Sequence, residues 1–248
     1  MRKALSAAAA VWLALLVPAH AENYVIGVEG IDYKPNGAVE NGDYVGYGRA
    51  ILDAWAKDRH HTLRYRPMPV QRLFSELLQG VVDFKYPDSP HWQQTLKTGK
   101  NVVYSDTVAS FVDGVMVRPE NKGKGPDALH SLGTLHGFTA WDYLDAQKAG
   151  KVSITENPVL AALMQQGLNK RVDGIYISVA VAQYQLDTVL KQPDGLVFDP
   201  SLPHSKGSYT LSTIKHPEAI ADFNAWMSQN SATIARIKEE YGIEKGFQ

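Results

Sequence analysis

The sequence predicts an α/β protein made of two successive βα series, and three observations lead there. Short apolar strands alternate with segments whose apolar residues fall at helical spacing, the pattern of βαβ units with a mainly parallel sheet. Residues 102–117 break that rhythm: they lack any helical period and run through two extended segments, 108–112 and 115–117, so the chain can leave one sheet there and enter another. Beyond them the βα alternation starts again.

Residues 24–28 (YVIGV) form the first strand, followed by a turn-rich stretch in which Pro35, Asn36, Gly37, Asn41 and Gly42 cluster. Gly48, Ile51, Leu52 and Trp55 then lie on one face of an amphipathic helix that packs on that strand. Residues 62–66 (TLRYR) read as a second strand. Val70, Leu73, Phe74, Leu77 and Leu78 repeat the helical spacing with Gly80 as the stop, and residues 81–86 supply a third strand.

Residues 121–126 (NKGKGP) are a surface loop, because they lack the Gly-x-x-x-x-Gly-Lys-Ser/Thr arrangement of a phosphate cradle and follow no strong strand. The second series places strands at 134–138, 152–155 and 173–177, with helices from Ala140, over 158–168 and over 180–190. Thr139 and Asp142 have capping-box spacing, and Asn157 before Pro158 gives an N-cap with proline at the first helical position. Residues 209–214 (YTLSTI) form a strand placed to cross back. A last helix after His216-Pro217 sets Ile220, Phe223, Met227, Ile234, Ile237 and Tyr241 on one side and ends at Gly242.

Arg2 and Lys3, an uncharged apolar run through Val17, and Ala19-His20-Ala21 before Glu22 have the layout of a cleavable secretory signal peptide. Residues 1–21 are therefore expected to be removed and the mature chain to work outside the cytoplasm, in a periplasm. No later apolar stretch approaches the ~20 residues of a membrane span, so the mature protein is expected not to be membrane-embedded. With no cysteine, the chain can form neither a disulfide nor a lipid-modified cysteine tether. A formal net charge of -1 is no nucleic-acid footprint.

The succession GVEGIDYKP, VGYGRAILDAWAK, MPVQRLFSELLQGVVDF, VVYSDTV, KRVDGIYISVAVAQYQL and ATIARIKEEYGI resembles the bacterial extracellular solute-binding proteins of family 3, the periplasmic receptors of polar amino-acid uptake, over essentially the whole mature chain. The resemblance implies the type II periplasmic-binding-protein-like fold: two Rossmann-like lobes joined by two crossing strands, with ligand held in the cleft and the lobes closing on it as a hinge. It assigns residues 22–108 and 207–248 to lobe one and 109–206 to lobe two. It implies a monomer that binds a small-molecule ligand and meets a membrane transporter permease of the ABC importer type. A periplasmic sensor or accessory protein for a membrane signalling partner, and a lyase or dehydratase on the same fold, are the alternatives.

Ligands of open α/β sheets bind outside the carboxyl ends of the strands. Glu29 and Tyr33 follow the first strand, and the resemblance gives Tyr33 the role of the aromatic that covers the ligand, against a loop tyrosine that packs locally. Lys85 and Tyr86 end the third strand, with Asp88 and Trp92 next; Lys85 is either an anion binder or a solvated strand-end charge. Phe138 and Thr139 lie where a strand gives way to a helix, so backbone N–H groups and the helix dipole suit a carboxylate, although the Thr139 cap is explanation enough. Trp141 faces either the cleft or the core.

Members of the family commonly carry a Thr-x-x-Arg segment whose arginine clamps an α-carboxylate, and an aspartate for the α-ammonium. Here residues 89–94 contain no arginine, Ser178 stands at the aspartate position, and Arg72 matches a structural or cleft-wall position. The expected ligand is a small molecule with an aromatic or apolar part, with or without one anionic group, held by Tyr33, Tyr86, Lys85 and the Phe138-Thr139 turn. No cysteine nucleophile, Gly-x-Ser-x-Gly elbow or His-Glu-x-x-His helix is present, and Glu29 with Asp88 is the pair a lyase would use. His60 and His61 are adjacent and point different ways, and His130 and His136 have no third partner nearby, so neither a metal nor a cofactor is expected.

Overall fold

The computed structural model describes residues 21–247. The expected export signal lies outside them except for its last position. The first lobe begins with β1 (Asn23–Glu29), a small hairpin of β2 (Ala38–Glu40) and β3 (Asp43–Val45), and α1 (Tyr47–Arg59). It continues with β4 (Thr62–Met68), α2 (Val70–Leu78), β5 (Phe84–Asp88), the single turn α3 (Gln94–Lys97) and the short β6 (Val103–Tyr104). β1 runs parallel to both β4 and β5, so both its edges are paired, and Ile26 and Val28 are fully buried in a core shared with Ile51, Leu52 and Trp55 of α1.

β7 (Ala109–Val117) leads into the second lobe, where β8 (Ser131–Leu135), α4 (Leu144–Lys148), β9 (Ser153–Asn157), α5 (Leu160–Leu168), β10 (Gly174–Ser178), α6 (Val179–Tyr184) and β11 (Val197–Phe198) follow. β12 (Ser205–Thr213) returns to the first lobe, and α7 (Pro217–Gln229) and α8 (Ser231–Tyr241) complete it. The strand order is β4-β1-β5-β12-β7-β10-β8-β9, with β6 on β12 and β11 on β7.

Two antiparallel strands join the lobes. Ser205 to Tyr209 of β12 pair with β7, while Thr210 to Thr213 pair with β5 and β6. β7 in turn gives its last five residues to β10. Asp113 is the switch point, opposite Ser205 on one side and Ser178 on the other.

Each lobe has its own core. Trp55, Phe84, Phe223 and Trp226 centre the first, and Leu163, Ile175, Ala182 and Leu186 centre the second. Tyr33 follows β1 yet is buried in the second core. Within the first lobe, Asp222 of α7 accepts hydrogen bonds from Trp55 Nε1 at 2.9 Å and from Arg59 Nε at 2.9 Å, locking α7 against α1.

Several elements depart from the sequence reading. The two extended segments at 108–117 are one continuous strand. The third strand starts three residues later than expected, at Phe84, because residues 81–83 form a turn in which the Asp83 carboxylate accepts a hydrogen bond from the Val25 N–H at 2.7 Å. The strand expected at 134–138 lies at Ser131–Leu135 and is ended by the loop at Gly137, whose φ of +85° is open to glycine and costly for other residues.

The expected capping box is not made. Asp142 instead accepts hydrogen bonds from Tyr176 Oη at 2.6 Å and Ser205 Oγ at 2.8 Å, and residues Trp141–Tyr143 form a 3₁₀ turn ahead of the short α4. Asn157 does cap locally, its Oδ1 accepting from the Val159 N–H at 2.9 Å, but α5 starts only at Leu160, two residues beyond Pro158. The last helix is two helices, because Asn230 leaves helical geometry and its side-chain amide donates to the Trp226 carbonyl at 2.9 Å, competing with the helix ladder.

Candidate ligand-binding site

A cavity of about 590 Å³, its open mouth included, lies between the lobes at the carboxyl ends of β1 and β5. Glu29 and Tyr33 contribute from the first strand and its loop, Val70 and Phe74 from the start of α2, and Pro87, Trp92 and Gln93 from the segment after β5. Asp113 and Tyr209 come from the two crossing strands, and Gly137, Phe138, Thr139 and Trp141 from the loop after β8. A larger space of about 1090 Å³, its open mouth included, adjoins it, sharing Trp92, Asp113 and Trp141 and running along Phe111 and Lys206.

The walls are aromatic. Tyr33 packs on Phe138 across the cleft with ring centroids 5.2 Å apart. Trp92 leans on Phe111 at 5.7 Å and on Tyr209 at 6.1 Å, and Phe111 stacks on Tyr209 at 4.8 Å. Ser178 lies behind the tyrosines, its backbone facing the Tyr33 hydroxyl and its side chain the Tyr209 hydroxyl. Burial holds both phenols well above their ordinary pKa, so they are neutral throughout the physiological range.

Two carboxyls reach the cavity. Glu29 is 7% exposed and its pKa is pushed up to about 7, chiefly by burial; the positive charge of Lys85 lowers it and the negative charge of Asp88 raises it. Asp113 is likewise raised to about 7, first by burial and then by Asp142 and Glu29. Its residue surface keeps some solvent exposure, but Oδ1 is sealed and has no hydrogen-bond partner among the described residues.

Of the residues named from the sequence, Glu29, Tyr33, Trp92, Phe138, Thr139 and Trp141 line this one cavity. Trp141 faces the cleft side of the choice left open for it and is 48% exposed. The structure places the others elsewhere. Tyr86 is buried in the first core with its hydroxyl on Asn36 Oδ1 at 3.1 Å.

Lys85 is neither a ligand-facing cation nor a solvated one. It is fully buried, hydrogen-bonds the Pro87 carbonyl, approaches Asp88 at 3.4 Å and lies 4.2 Å from the Phe74 ring centroid. Asp88 is held by the same cluster, accepting from Lys97 Nζ at 3.0 Å, Ser212 Oγ at 2.7 Å and its neighbour's N–H at 2.8 Å, so it is not free to pair with Glu29 in acid–base chemistry.

At the Phe138-Thr139 turn two of the backbone donors are already engaged. The Phe138 N–H is bonded to the Leu135 carbonyl at 3.0 Å, the Gly137 N–H points to Glu156 at 3.3 Å, and α4 is a five-residue helix.

Asp113, Tyr209 and Phe74 were not named from the sequence. Asp113 had a signal: it is the one charged residue in the apolar run 108–117, where a buried strand has no ordinary place for an unpaired acid. Tyr209 had none, since a tyrosine opening a strand is ordinary.

No protein-family model and no curated protein matches the sequence. Solved structures do. An ancestral amino-acid-binding protein described as a precursor of cyclohexadienyl dehydratase is similar at a TM-score of 0.68 and 20% identity, covering 88% of this chain and 95% of that one. The GluR0 ligand-binding core in complex with L-glutamate is similar at a TM-score of 0.72 and 14% identity over 88% of this chain and 97% of its own. The substrate-binding protein of an amino-acid ABC transporter is similar at a TM-score of 0.67 and 20% identity over 88% and 98%. The resemblance read from the sequence therefore holds at the level of the fold, and the chain has the two-lobed, type II periplasmic-binding-protein-like architecture of these proteins.

Proposed function

We propose that this chain is an extracytoplasmic solute-binding protein that takes one small organic molecule into the cleft between its lobes and closes on it by bending β7 and β12. The cavity carries the proposal: it lies at the strand ends where this architecture receives ligands, it draws walls from both lobes, and Tyr33 of the first lobe already reaches the core of the second. Lobe one spans residues 22–108 and 207–248 and lobe two 109–206, the pairing of β12 with β7 and then with β5 supporting those bounds.

The working place is the periplasm, reached through removal of residues 1–21. The partner is the permease of an ABC-type importer; one of the similar structures is the substrate-binding protein of such a transporter. The aromatic lining suits a ligand with an apolar or aromatic body. Among the described residues no arginine lines the cavity, which separates this site from one built to clamp an α-carboxylate.

Trp92 and Trp141 line the cavity, so tryptophan emission reports occupancy directly. Titration of the mature chain with a broad set of small amines, organic acids, amino acids and aromatics is expected to give a saturable emission change with a rise in Tm, and a smaller radius of gyration in solution scattering. A set in which nothing raises Tm or alters emission overturns the proposal.

A further inference from the structure

We infer that the ligand of this cleft is a small organic cation, an amine or quaternary ammonium on an apolar or aromatic body with no carboxylate, held between Glu29 and Asp113 inside an aromatic cage. This rests on the solute-binding reading and names the charge of its solute.

Glu29 is more than nine-tenths buried, lines the cavity, and receives no hydrogen bond and makes no ion pair among the described residues. Asp113 Oδ1 is sealed and unpartnered as well. An ionised carboxylate in such a place is costly unless a cation or donor meets it. The two buried cations nearest the carboxyls are engaged with other groups, and Lys206 stands on the adjoining groove, outside the cavity lining. Lys85 hydrogen-bonds the Pro87 carbonyl and Lys97 the Ser89 carbonyl at 2.7 Å, both face Asp88, and neither lines the cavity. In the free protein the two carboxyls can stay protonated; in their ionised forms the cavity lining offers them no cation, and a ligand would supply it.

The remaining walls favour the same charge. Trp92, Phe74, Tyr209 and Phe138 line the same cavity as the two carboxyls, and aromatic faces attract ammonium groups; Lys85 Nζ already lies 4.2 Å from the Phe74 ring centroid and 5.4 Å from that of Trp92, while Tyr209 and Phe138 carry no such cation among the described residues. An anionic ligand meets two acids and no free cation, and a zwitterion leaves its carboxylate without a partner.

The two carboxyls report on the ligand through protons. Glu29 is faced by Lys85 and Asp88 of β5, and Asp113 by Asp142 after β8 and by Glu29 itself; the tyrosine hydroxyls nearby titrate far above this range. Both carboxyls sit at about 7 in the free protein, so a cation that binds their ionised forms releases protons and binds more weakly as pH falls. An anion recognised by the protonated acids does the reverse.

The test uses one skeleton in three charge states, phenethylamine, 3-phenylpropionate and phenylalanine, with tetramethylammonium as a second cation. Kd is read by tryptophan emission and calorimetry between about pH 5.5 and about pH 8.5. Expected are binding of the cations at least ~10-fold tighter than of the acid and the amino acid, proton release, and a ~10-fold loss of affinity per pH unit below 7 for each carboxyl that must ionise.

Glu29→Gln and Asp113→Asn are each expected to weaken phenethylamine binding by ~10- to 100-fold and to flatten its pH profile, with the Tm of the free protein unchanged or raised. A purely structural role for either residue would lower that Tm and leave the pH profile intact. Preference for the acid or the amino acid, or affinity that rises on acidification, overturns the cation and leaves solute binding standing. Failure of all four probes and of the broader solute set overturns both.

Discussion

Tyr33 belongs to the chain segment that follows β1, yet its ring lies against Phe138 of the opposite lobe with centroids 5.2 Å apart and planes tilted by 34°. Both residues line the cleft, and under the proposed hinge closure their contact would act as a latch across it. An aromatic pair contributes about 0.5–1.5 kcal/mol beyond area burial, which sets a ~2- to 10-fold bias toward the closed arrangement.

Phe138→Leu keeps an apolar side chain and removes the ring pair. It is expected to lower the closed fraction and to weaken ligand affinity by ~2- to 10-fold, mainly through faster dissociation. Solution scattering of the free and liganded variant, with stopped-flow tryptophan emission for the rates, checks it; unchanged dissociation rules out the latch.

The buried triad of Lys85, Asp88 and Lys97 predicts an asymmetric response to mutation. Asp88 holds both ammonium groups, so Asp88→Asn leaves two buried cations without their counter-charge and is expected to cost about 3–5 kcal/mol. Lys97→Met removes the cation whose pKa burial already depresses, keeps the Lys85 pair, and is expected to cost far less. Urea denaturation of the two variants beside the parent decides; equal losses contradict the triad as the source of the effect.

The fold was legible because it follows from periodicity. Gly48, Ile51, Leu52 and Trp55 had to bury one helix face, and Ile26 and Val28 had to be covered on both sides, whatever the tertiary details. The crossing at 102–117 was legible for the same reason, as a stretch that fits neither period.

The site was legible only in part. Strand ends point to Glu29, Tyr33 and Phe138 by topology, but the partner of a charge is set by three-dimensional proximity. Lys85 and Asp88 sit three residues apart and read equally well as cleft groups until the packing of Lys97 and Phe74 closes over them. Asp142 shows the same limit: capping-box spacing with Thr139 says nothing of Tyr176 and Ser205, which arrive from distant parts of the chain.

Stability should fall as the medium is made less acidic, the reverse of an ordinary carboxylate-rich protein. Glu29 and Asp113 rise from ordinary values of 4.5 and 3.8 to about 7 in the folded chain. Below about pH 3 both are mostly protonated in either state and cost little. As pH climbs toward 7 the unfolded chain releases those protons while the folded chain keeps them, so each group lowers stability by about 1.4 kcal/mol per pH unit across that window.

Asp83, Asp173, Asp187, Asp199 and Glu244 have depressed values, so their stabilisation is lost only in stronger acid. His61, lowered by burial, has the opposite slope up to its ordinary 6.5 and offsets part of the effect. Chemical denaturation at about pH 5 and about pH 8 is expected to show the loss in the parent and a flat profile in the double variant Glu29→Gln, Asp113→Asn. A parent that gains stability over that range contradicts buried, unpartnered carboxyls.

Gly207 lies on β12 directly opposite Phe111 of β7, where the two crossing strands pair. A Cβ at Gly207 would stand 2.4 Å from the Phe111 ring, a distance no real side chain tolerates, so the ring must move. Phe111 supports both Tyr209 and Trp92, two walls of the cavity, and displacing it shifts them together. Gly207→Ala is therefore expected to cost about 1–3 kcal/mol through overpacking and to weaken ligand binding with it.

Gly207→Ala combined with Phe111→Leu, which clears the clash while keeping an apolar side chain, is expected to recover stability more fully than affinity, because the stack beneath Trp92 is still missing. Thermal unfolding paired with emission titration separates the two readouts. If the double variant regains both to the same degree, the crossing strands act as a scaffold only, and the aromatic stack on them does not shape the cleft.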